Sequence, residues 1–326
     1  MAESAADLGI ALAGDDAVVP FEVAPLDVRG RAVQMGEAVD TILHRHAYPE
    51  PVARLLGEAL VLTTLLGTSL KFEGKFILQA QSDGPVSMLV VDFRSPDALR
   101  AYASFDVERI EEAIAAGNTA SADLLGKGHL ALTIDQGAAM NRYQGVVALE
   151  GEGLEAAAHT YFQQSEQIPT RVRLAVAERV ARSASGETER RWRAGGILVQ
   201  FLPSSASRLP HRDLPPGDQP EEVGVDAADE GDDDAWVEAR ALVDTVEDHE
   251  LTDPEIGAER LLYRLFHERG VRVFEAQSVA DRCRCSRAAI EEMLGRFSDE
   301  ERADMVVDDQ IVVTCEFCST RYHFDA

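Results

Sequence analysis

The four cysteines of this chain fall in two close pairs, Cys283 with Cys285 and Cys315 with Cys318. A thiolate is a metal ligand, a nucleophile and the form of sulfur that oxidants attack, so this grouping points to metal or redox chemistry. Structural zinc prefers four tetrahedral ligands, and two pairs brought together by a fold commonly supply them. The Cys315-x-x-Cys318 spacing lets one tight turn aim both sulfurs at the same ion. Cys283 and Cys285 are two apart, so on an extended segment both side chains leave from the same face. Together they are a complete ligand set for one zinc ion. Four thiolates around a dication leave negative charge, which the neighbouring Arg282, Arg284, Arg287 and Arg321 would offset. His323 is a conceivable substitute ligand, but with four thiolates at hand it reads as a packed or exposed residue.

Two purposes for such a site stay open on these residues. Structural zinc that lets a small module fold is the plainer one, because ribbon-like sites far outnumber sensors. The sharper one is a redox switch. A disulfide across only two residues closes a very small ring, and strained disulfides tend to be labile and regulatory. A zinc-ribbon nucleic-acid-binding protein and a thiol oxidoreductase working through Cys315 and Cys318 are the competing classes.

The elements that must hold the cysteines are partly legible. Between the pairs, "SRAAIEEMLGRFSDEERADMVVDDQIVV" reads as helix and strand with a modest apolar face. Upstream, Ala258, Leu261, Leu262, Leu265 and Phe266 keep helical spacing until Gly270, with Thr252 or Asp253 as cap and Pro254 in the first turn. Before that lies an acidic tract. From Asp213 to Glu250 there are fifteen carboxylates against the single Arg240, half of the chain's net charge of −27. Its Pro-, Gly- and Asp-rich first part cannot bury enough apolar surface to order itself, which predicts a flexible linker, with a short helix around "DDDAWVEARALVDTV".

Earlier residues predict an α+β domain with antiparallel, hairpin-built sheets and packing helices. "YPEPVARLLGEALVLTTLLGTSL" has helical periodicity at Val52, Leu55, Leu56, Ala59, Leu60 and Thr63. "KFILQAQSDGPVSMLVVDF" reads as a hairpin turning at Ser82–Pro85, and "HLALTID" with "YQGVVALEG" as a second strand pair. "LEAAAHTYFQQSEQ" is helical, and "TRVRLAVAERV" and "GGILVQFLP" are two later strands. Strands arriving in hairpins argue against a parallel, doubly wound sheet. The expected division is a disordered extension (1–20), the N-terminal domain (21–204), the acidic flexible linker (205–252), and a C-terminal helix with the four-cysteine module (253–326).

Charge and missing motifs narrow the function. A net charge of −27 opposes nucleic acid and anionic membrane as partners. No apolar run approaches the roughly 20 residues of a membrane span, and the first residues lack the basic start of a signal peptide, so the expected location is the cytoplasm. "GKGHLA" at Gly126 leads into a strand pattern, and "GEGLEA" at Gly151 is crowded by Glu150, Glu152 and Glu155; neither suits a dinucleotide. No P-loop, H-E-x-x-H or G-x-S-x-G is present, His44 and His46 read as surface or helix-end residues, and no enzymatic activity is expected.

The ending C-x-C, about thirty residues, then C-x-x-C followed by aromatics resembles the heat shock protein 33 family of redox-regulated chaperones, as does the approach "RLLYRLFHERGVRVFEAQSVADRCRCSR". "LLGEALVLTTLLGTSLKFEGKFILQAQSDGPVSMLVVDF", "GKGHLALTIDQGAAMNRYQGVVALEGEGL", "YFQQSEQIPTRVRLAVA" and "AGGILVQFLP" resemble its N-terminal domain, in order. The resemblance implies an ATP-independent holdase with one zinc per chain in its poorly active reduced form. It implies that oxidation expels zinc, pairs Cys283 with Cys285 and Cys315 with Cys318, unfolds the module and loosens the linker. Unfolded client proteins would then be bound, by a form associated with homodimerisation. The chain departs from the family's pattern in its long acidic stretch, about Pro210 to Asp234, and in its first 20 residues.

Overall fold

The computed structural model describes residues 12–69, 73–137, 142–182, 186–203 and 233–325. The expected extension up to residue 11 and the linker from 205 to 232 lie outside these. The chain starts with the hairpin β1 (Ala17–Val23) and β2 (Val28–Met35), then α1 (Glu37–His44) and α2 (Glu50–Gly67). A meander follows, β3 (Lys75–Ser82), β4 (Val86–Arg94) and β5 (Ala98–Phe105), then α3 (Val107–Ala116) and α4 (Ser121–Leu125). Next come β6 (Lys127–Asp135), β7 (Tyr143–Glu150), α5 (Leu154–Tyr161) and the long hairpin β8 (Thr170–Arg182) with β9 (Thr188–Phe201). Three helices follow, α6 (Asp234–Asp244), α7 (Asp248–Thr252) and α8 (Ala258–Phe266), then the short strands β10 (Arg272–Val273), β11 (Gln277–Ser278) and β12 (Ala280–Asp281). The chain closes with α9 (Arg287–Leu294), α10 (Asp299–Asp304), β13 (Gln310–Thr314) and β14 (Arg321–Asp325).

The fold is α+β, as the hairpin pattern predicts. One sheet runs β10-β1-β2-β9-β8, with β11 also on β1, and a second runs β12-β5-β4-β3-β6-β7. Every pairing in them is antiparallel except β12 with β5. Helix α2 lies between the sheets. Fifteen of its eighteen residues are buried, so the one-sided helix predicted from Val52 to Thr63 is in fact covered all round. The main core joins α1 and α2 to the facing sides of both sheets.

A second core lies on the other side of the first sheet. Trp236, Ala239 and Val243 of α6, Leu251 of α7, and Leu261, Leu262, Leu265 and Phe266 of α8 cover Val19, Phe21, Ile197 and Val199. Both faces of β9 are therefore buried, and adjacent glycines make room. A Cβ on Gly195 would overlap the Leu251 carbonyl of α7, and one on Gly196 would run into Val61 of α2.

These contacts move the expected boundaries. Residues 233–252, counted with the linker, form the short helix expected around Trp236, here α6, and a second helix, α7, that was not expected; both are ordered because Trp236 and its apolar neighbours find a sheet face to cover. Helix α8 begins at Ala258, not at Pro254, and packs on the N-terminal sheet, its Phe266 ring 5.7 Å from that of Phe21. At the other end, β1 starts at Ala17, and Asp16 accepts hydrogen bonds from the Gly36, Glu37 and Ala38 amides (3.0, 3.0 and 3.2 Å) at the start of α1. Residues expected in a disordered extension thus complete the fold. Among the described residues no helix is long and apolar enough to cross a membrane.

Candidate metal centre

Strand β12 positions the first cysteine pair. It lies parallel to β5, Ala280 opposite Ala98 and Asp281 opposite Leu99, and the Arg282 amide donates to the Leu99 carbonyl at 2.9 Å. Through the next residues side chains alternate: Arg284 ion-pairs with Asp92 of β4, while Cys283 and Cys285 turn to the other pair. Ser286 then caps α9, its hydroxyl accepting from the Ala289 amide at 3.2 Å. The second pair sits in the turn of the β13–β14 hairpin. There the Cys315 amide donates to the Thr320 carbonyl (3.0 Å) and the Ser319 amide to the Cys315 carbonyl (2.8 Å), with Ser319 at φ 55°.

The four sulfurs lie within 4.8 Å of one another and all four thiols are free. A tetrahedral zinc with Zn–S bonds of about 2.3 Å has S–S edges of about 3.8 Å. Cys283 Sγ is 3.7 Å from Cys315 Sγ, and Cys285 Sγ is 3.2 Å from Cys318 Sγ. Donor type, number and spacing all fit zinc. Both of these approaches run between the pairs, as two pairs interleaved on one tetrahedron require.

The site's electrostatics are uneven. Burial pushes the Cys285 thiol up to about 12, against the Tyr322 hydroxyl, which donates to its sulfur at 3.2 Å. Burial also raises Cys315. At Cys318 burial is outweighed by hydrogen bonding with the Thr320 hydroxyl and amide and with the Cys285 and Cys283 sulfurs, which brings it down to about 6. The sulfurs are thus unequal, Cys318 drawn toward the thiolate while Cys285 and Cys315 are held toward the thiol, a polarised pocket for a soft cation.

The surrounding module has little core of its own. Among the described residues only Leu294, Ile311 and Phe324 are buried in it, with Ile290, Met305, Val306, Val313 and Tyr322 packed around them. So small an apolar cluster depends on a further cross-link to stay folded.

Three of the four arginines expected to offset the thiolates are used elsewhere. Arg282 pairs with Asp97 (2.9 Å), Arg284 with Asp92, and Arg287 with Glu291 (3.1 Å) while lying 4.5 Å over the Phe324 ring. Their carboxylate partners outcompete the sulfurs for them. The cation that feels the sulfurs is Arg45, whose guanidinium pairs with Asp281 and is held charged by that contact and by Cys318 and Cys283. His323 lies outside the thiol group, exposed, its Nδ1 3.3 Å from Gln310 Oε1.

Sequence reasoning missed Arg45 and Arg100 and read His46 as a surface or helix-end residue, whereas all three meet the second cysteine turn from across the molecule; it also missed Asp92, which holds Arg284 between the first two cysteines. No local pattern marks residues that act on a partner some 190 to 270 positions away. Tyr322 was within reach, as an aromatic just after the second pair.

Comparison with known proteins agrees with this arrangement. The family model described as Hsp33 protein matches residues 16–325. The "33 kDa chaperonin" of Caulobacter vibrioides is 45% identical over 328 residues, spanning 100% of this chain and 99% of that protein. This match therefore takes in the first residues and the acidic stretch. The "33 kDa chaperonin" of Photorhabdus laumondii is 36% identical over 300 residues, covering 92% of this chain and 89% of the relative. In fold, the chain is similar to the crystal structure of the Thermotoga maritima Hsp33 homologue, with a TM-score of 0.69, 21% identity and 95% of each chain covered. A four-thiol module docked on a two-sheet domain, and full-length relatives at this identity, make the chain a member of the Hsp33 family of chaperones.

Proposed function

We propose that this protein is a redox-regulated, ATP-independent holdase that binds unfolding proteins once its four cysteines are oxidised. The observation that carries this reading is a module with almost no core of its own, organised around four free thiols and resting against a well-packed domain. Cys283, Cys285, Cys315 and Cys318 are the residues to hold zinc, which when bound supplies the cross-link that the small core lacks. Arg45 balances their negative charge, and Tyr322 supports the Cys285 sulfur.

Oxidation removes the ligand set. Two disulfides form as four thiols give up four electrons and four protons, and two equivalents of a peroxide take them and leave as water. The proposed bonds join Cys283 with Cys285 and Cys315 with Cys318. Such bonds tie near neighbours only, so just the small apolar cluster of Leu294, Ile311 and Phe324 is left to hold the two pairs together across the module. Bonds between the pairs, along the 3.7 Å and 3.2 Å approaches, would instead keep the module closed. An unfolded module releases β12 from β5 and loosens α6 to α8, which cover the apolar face of the first sheet.

The clients are unfolding chains in the cytoplasm, and the oxidised form acts as a homodimer. The acidic stretch keeps the client-loaded complex soluble by charge repulsion. Neutralising its Asp229–Asp234 run should increase aggregation of the complex; an unchanged complex would remove that role.

The deciding experiment dilutes a chemically unfolded client into buffer with zinc-loaded reduced protein or with peroxide-oxidised protein, and follows light scattering. Only the oxidised form should suppress aggregation. Peptide mapping of the same sample should find both within-pair disulfides. Suppression by both forms, or by neither, would overturn the switch.

A further inference from the structure

The turn that carries Cys315 and Cys318 also carries Phe317, and the N-terminal domain holds this residue in a built seat. The Arg100 guanidinium carbon lies 4.0 Å from the centre of the Phe317 ring, a stacked cation–π contact. The Phe317 carbonyl accepts from His46 Nε2 (3.3 Å) and from Arg45 Nη1 (3.5 Å), and the Ser319 hydroxyl lies 3.1 Å from His46 Nδ1. A proton on Nε2 toward the carbonyl leaves Nδ1 free to accept from Ser319.

Arg100 and His46 owe their placement to the N-terminal domain, while Arg45 is paired with Asp281 on β12. Arg100 on β5 is clamped by the buried Asp92 on β4, through Nε at 2.9 Å and Nη2 at 2.7 Å. The His46 ring packs 5.1 Å from that of Tyr48 and 6.0 Å from that of Tyr102. Tyr48 in turn accepts from the Ala103 amide at 3.1 Å. None of these supports of Arg100 and His46 comes from the module. If the module leaves, Arg284 lets go of Asp92, but Arg100 keeps its clamp and the aromatic wall stands.

An empty seat presents a flat guanidinium and two N–H donors. What it recognises is an aromatic ring together with a main-chain carbonyl, and every unfolding chain that contains Phe, Tyr or Trp offers both. We propose that the seat of Arg100, His46 and Arg45, filled by Phe317 in the folded protein, is a client subsite for one aromatic residue of an unfolding chain. Phe317 is then a client mimic carried by the cysteine turn itself, and opening the turn exchanges it for a client. This rests on the holdase reading above and names part of its binding surface.

The test uses the full chain and a fluorescein-labelled nonapeptide amide of Gly and Ser with one central Phe, beside a twin in which cyclohexylalanine replaces Phe. Cyclohexylalanine keeps the size and apolar surface and removes the π-face. Anisotropy should show oxidised wild type binding the Phe peptide about fivefold more tightly than its twin. Reduced, zinc-loaded wild type should bind neither. Reduced Phe317→Ala, with its zinc content checked by a chromogenic chelator, should bind the Phe peptide without oxidation. Phe317→Leu, which keeps an apolar filler in the turn, should do so as well. Arg100→Lys keeps the charge beside Asp92 but cannot lie flat on a ring, so in the oxidised form it should lose the preference for Phe over its twin.

Equal binding of the two peptides by an oxidised protein that does suppress client aggregation would overturn the subsite and leave the holdase standing. So would an unchanged preference in Arg100→Lys. If oxidised wild type fails to suppress aggregation, the holdase reading falls. The reduced Phe317 variants then decide the seat alone: binding of the Phe peptide in preference to its twin supports it, and no such preference ends it.

Discussion

At the scale of single residues, the thiol group depends on neighbours that carry no metal-binding signature. Tyr322 donates to Cys285, the sulfur that burial holds most strongly protonated. Without that hydroxyl the Cys285 thiolate costs more to form, so Tyr322→Phe should weaken zinc by about tenfold, as loss of a ligand's hydrogen-bond partner commonly does. Competition with a chromogenic chelator reads this directly; unchanged affinity would remove Tyr322 from the site. A second residue bears on pH. Burial in α2 pushes Glu58 up to about 7, with a Ser121 hydroxyl bond at 2.6 Å only partly opposing it. Between its unfolded value near 4.5 and that folded value, the native state holds a proton that the unfolded chain has lost. Stability therefore falls as pH rises through this window and levels off above it. Glu58→Gln should flatten the profile, by on the order of 1 kcal/mol at pH 8, in thermal melts from pH 5 to 8. A profile as steep as wild type would assign the slope to other groups.

At the scale of elements, the first sheet is sealed by helices that could come off. Gly195 sets how closely α7 approaches β9, since its missing Cβ leaves room for the Leu251 carbonyl. Gly195→Ala must push α7 outward while leaving the cysteines, some 90 residues on in sequence, unchanged. Amide exchange across α6 to α8 should rise several-fold in the reduced protein, and some client binding should appear without oxidation. If exchange rises and client binding does not, the sheet face beneath those helices is not part of the holding surface. The glycine pair is also a lesson in legibility. "GGILVQFLP" reads as a strand from its β-branched and aliphatic residues, yet nothing in it tells which helix will lie on which glycine.

At the scale of the whole molecule, the module is joined to the N-terminal domain by the short β12–β5 pairing, by ion pairs of Asp281, Arg282 and Arg284, and by the Phe317 turn. These contacts are few beside the long ladders of the two sheets. A chelator under reducing conditions, which forms no disulfide, should therefore unfold residues 283–325 and leave β3, β4 and β6 protected in hydrogen exchange. Uniform loss of protection would mean that module and domain fold as one unit. A module that keeps its protection would mean that its small core suffices and that no metal is needed to fold it.

Local chemistry is what the sequence carried plainly. Two pairs of cysteines at short spacing mark a four-sulfur group, and the fold brings those sulfurs within 4.8 Å of one another. Ser82–Pro85 between two β-rich runs determines a hairpin, and the spacing from Ala258 to Phe266 determines a helix with one buried side. Each depends on residues a few positions apart, within reach of backbone periodicity and turn geometry. Long-range choices were not legible. The burial of α2 on all sides, the docking of residues 233–252 on the first sheet, and the diversion of Arg282 and Arg284 to Asp97 and Asp92 all followed from partners far along the chain. So did Arg45 beside the sulfurs and the seat for Phe317. A charge or a ring is satisfied by whatever the packed fold brings within a few ångströms, and spacing along the chain holds no record of that distance.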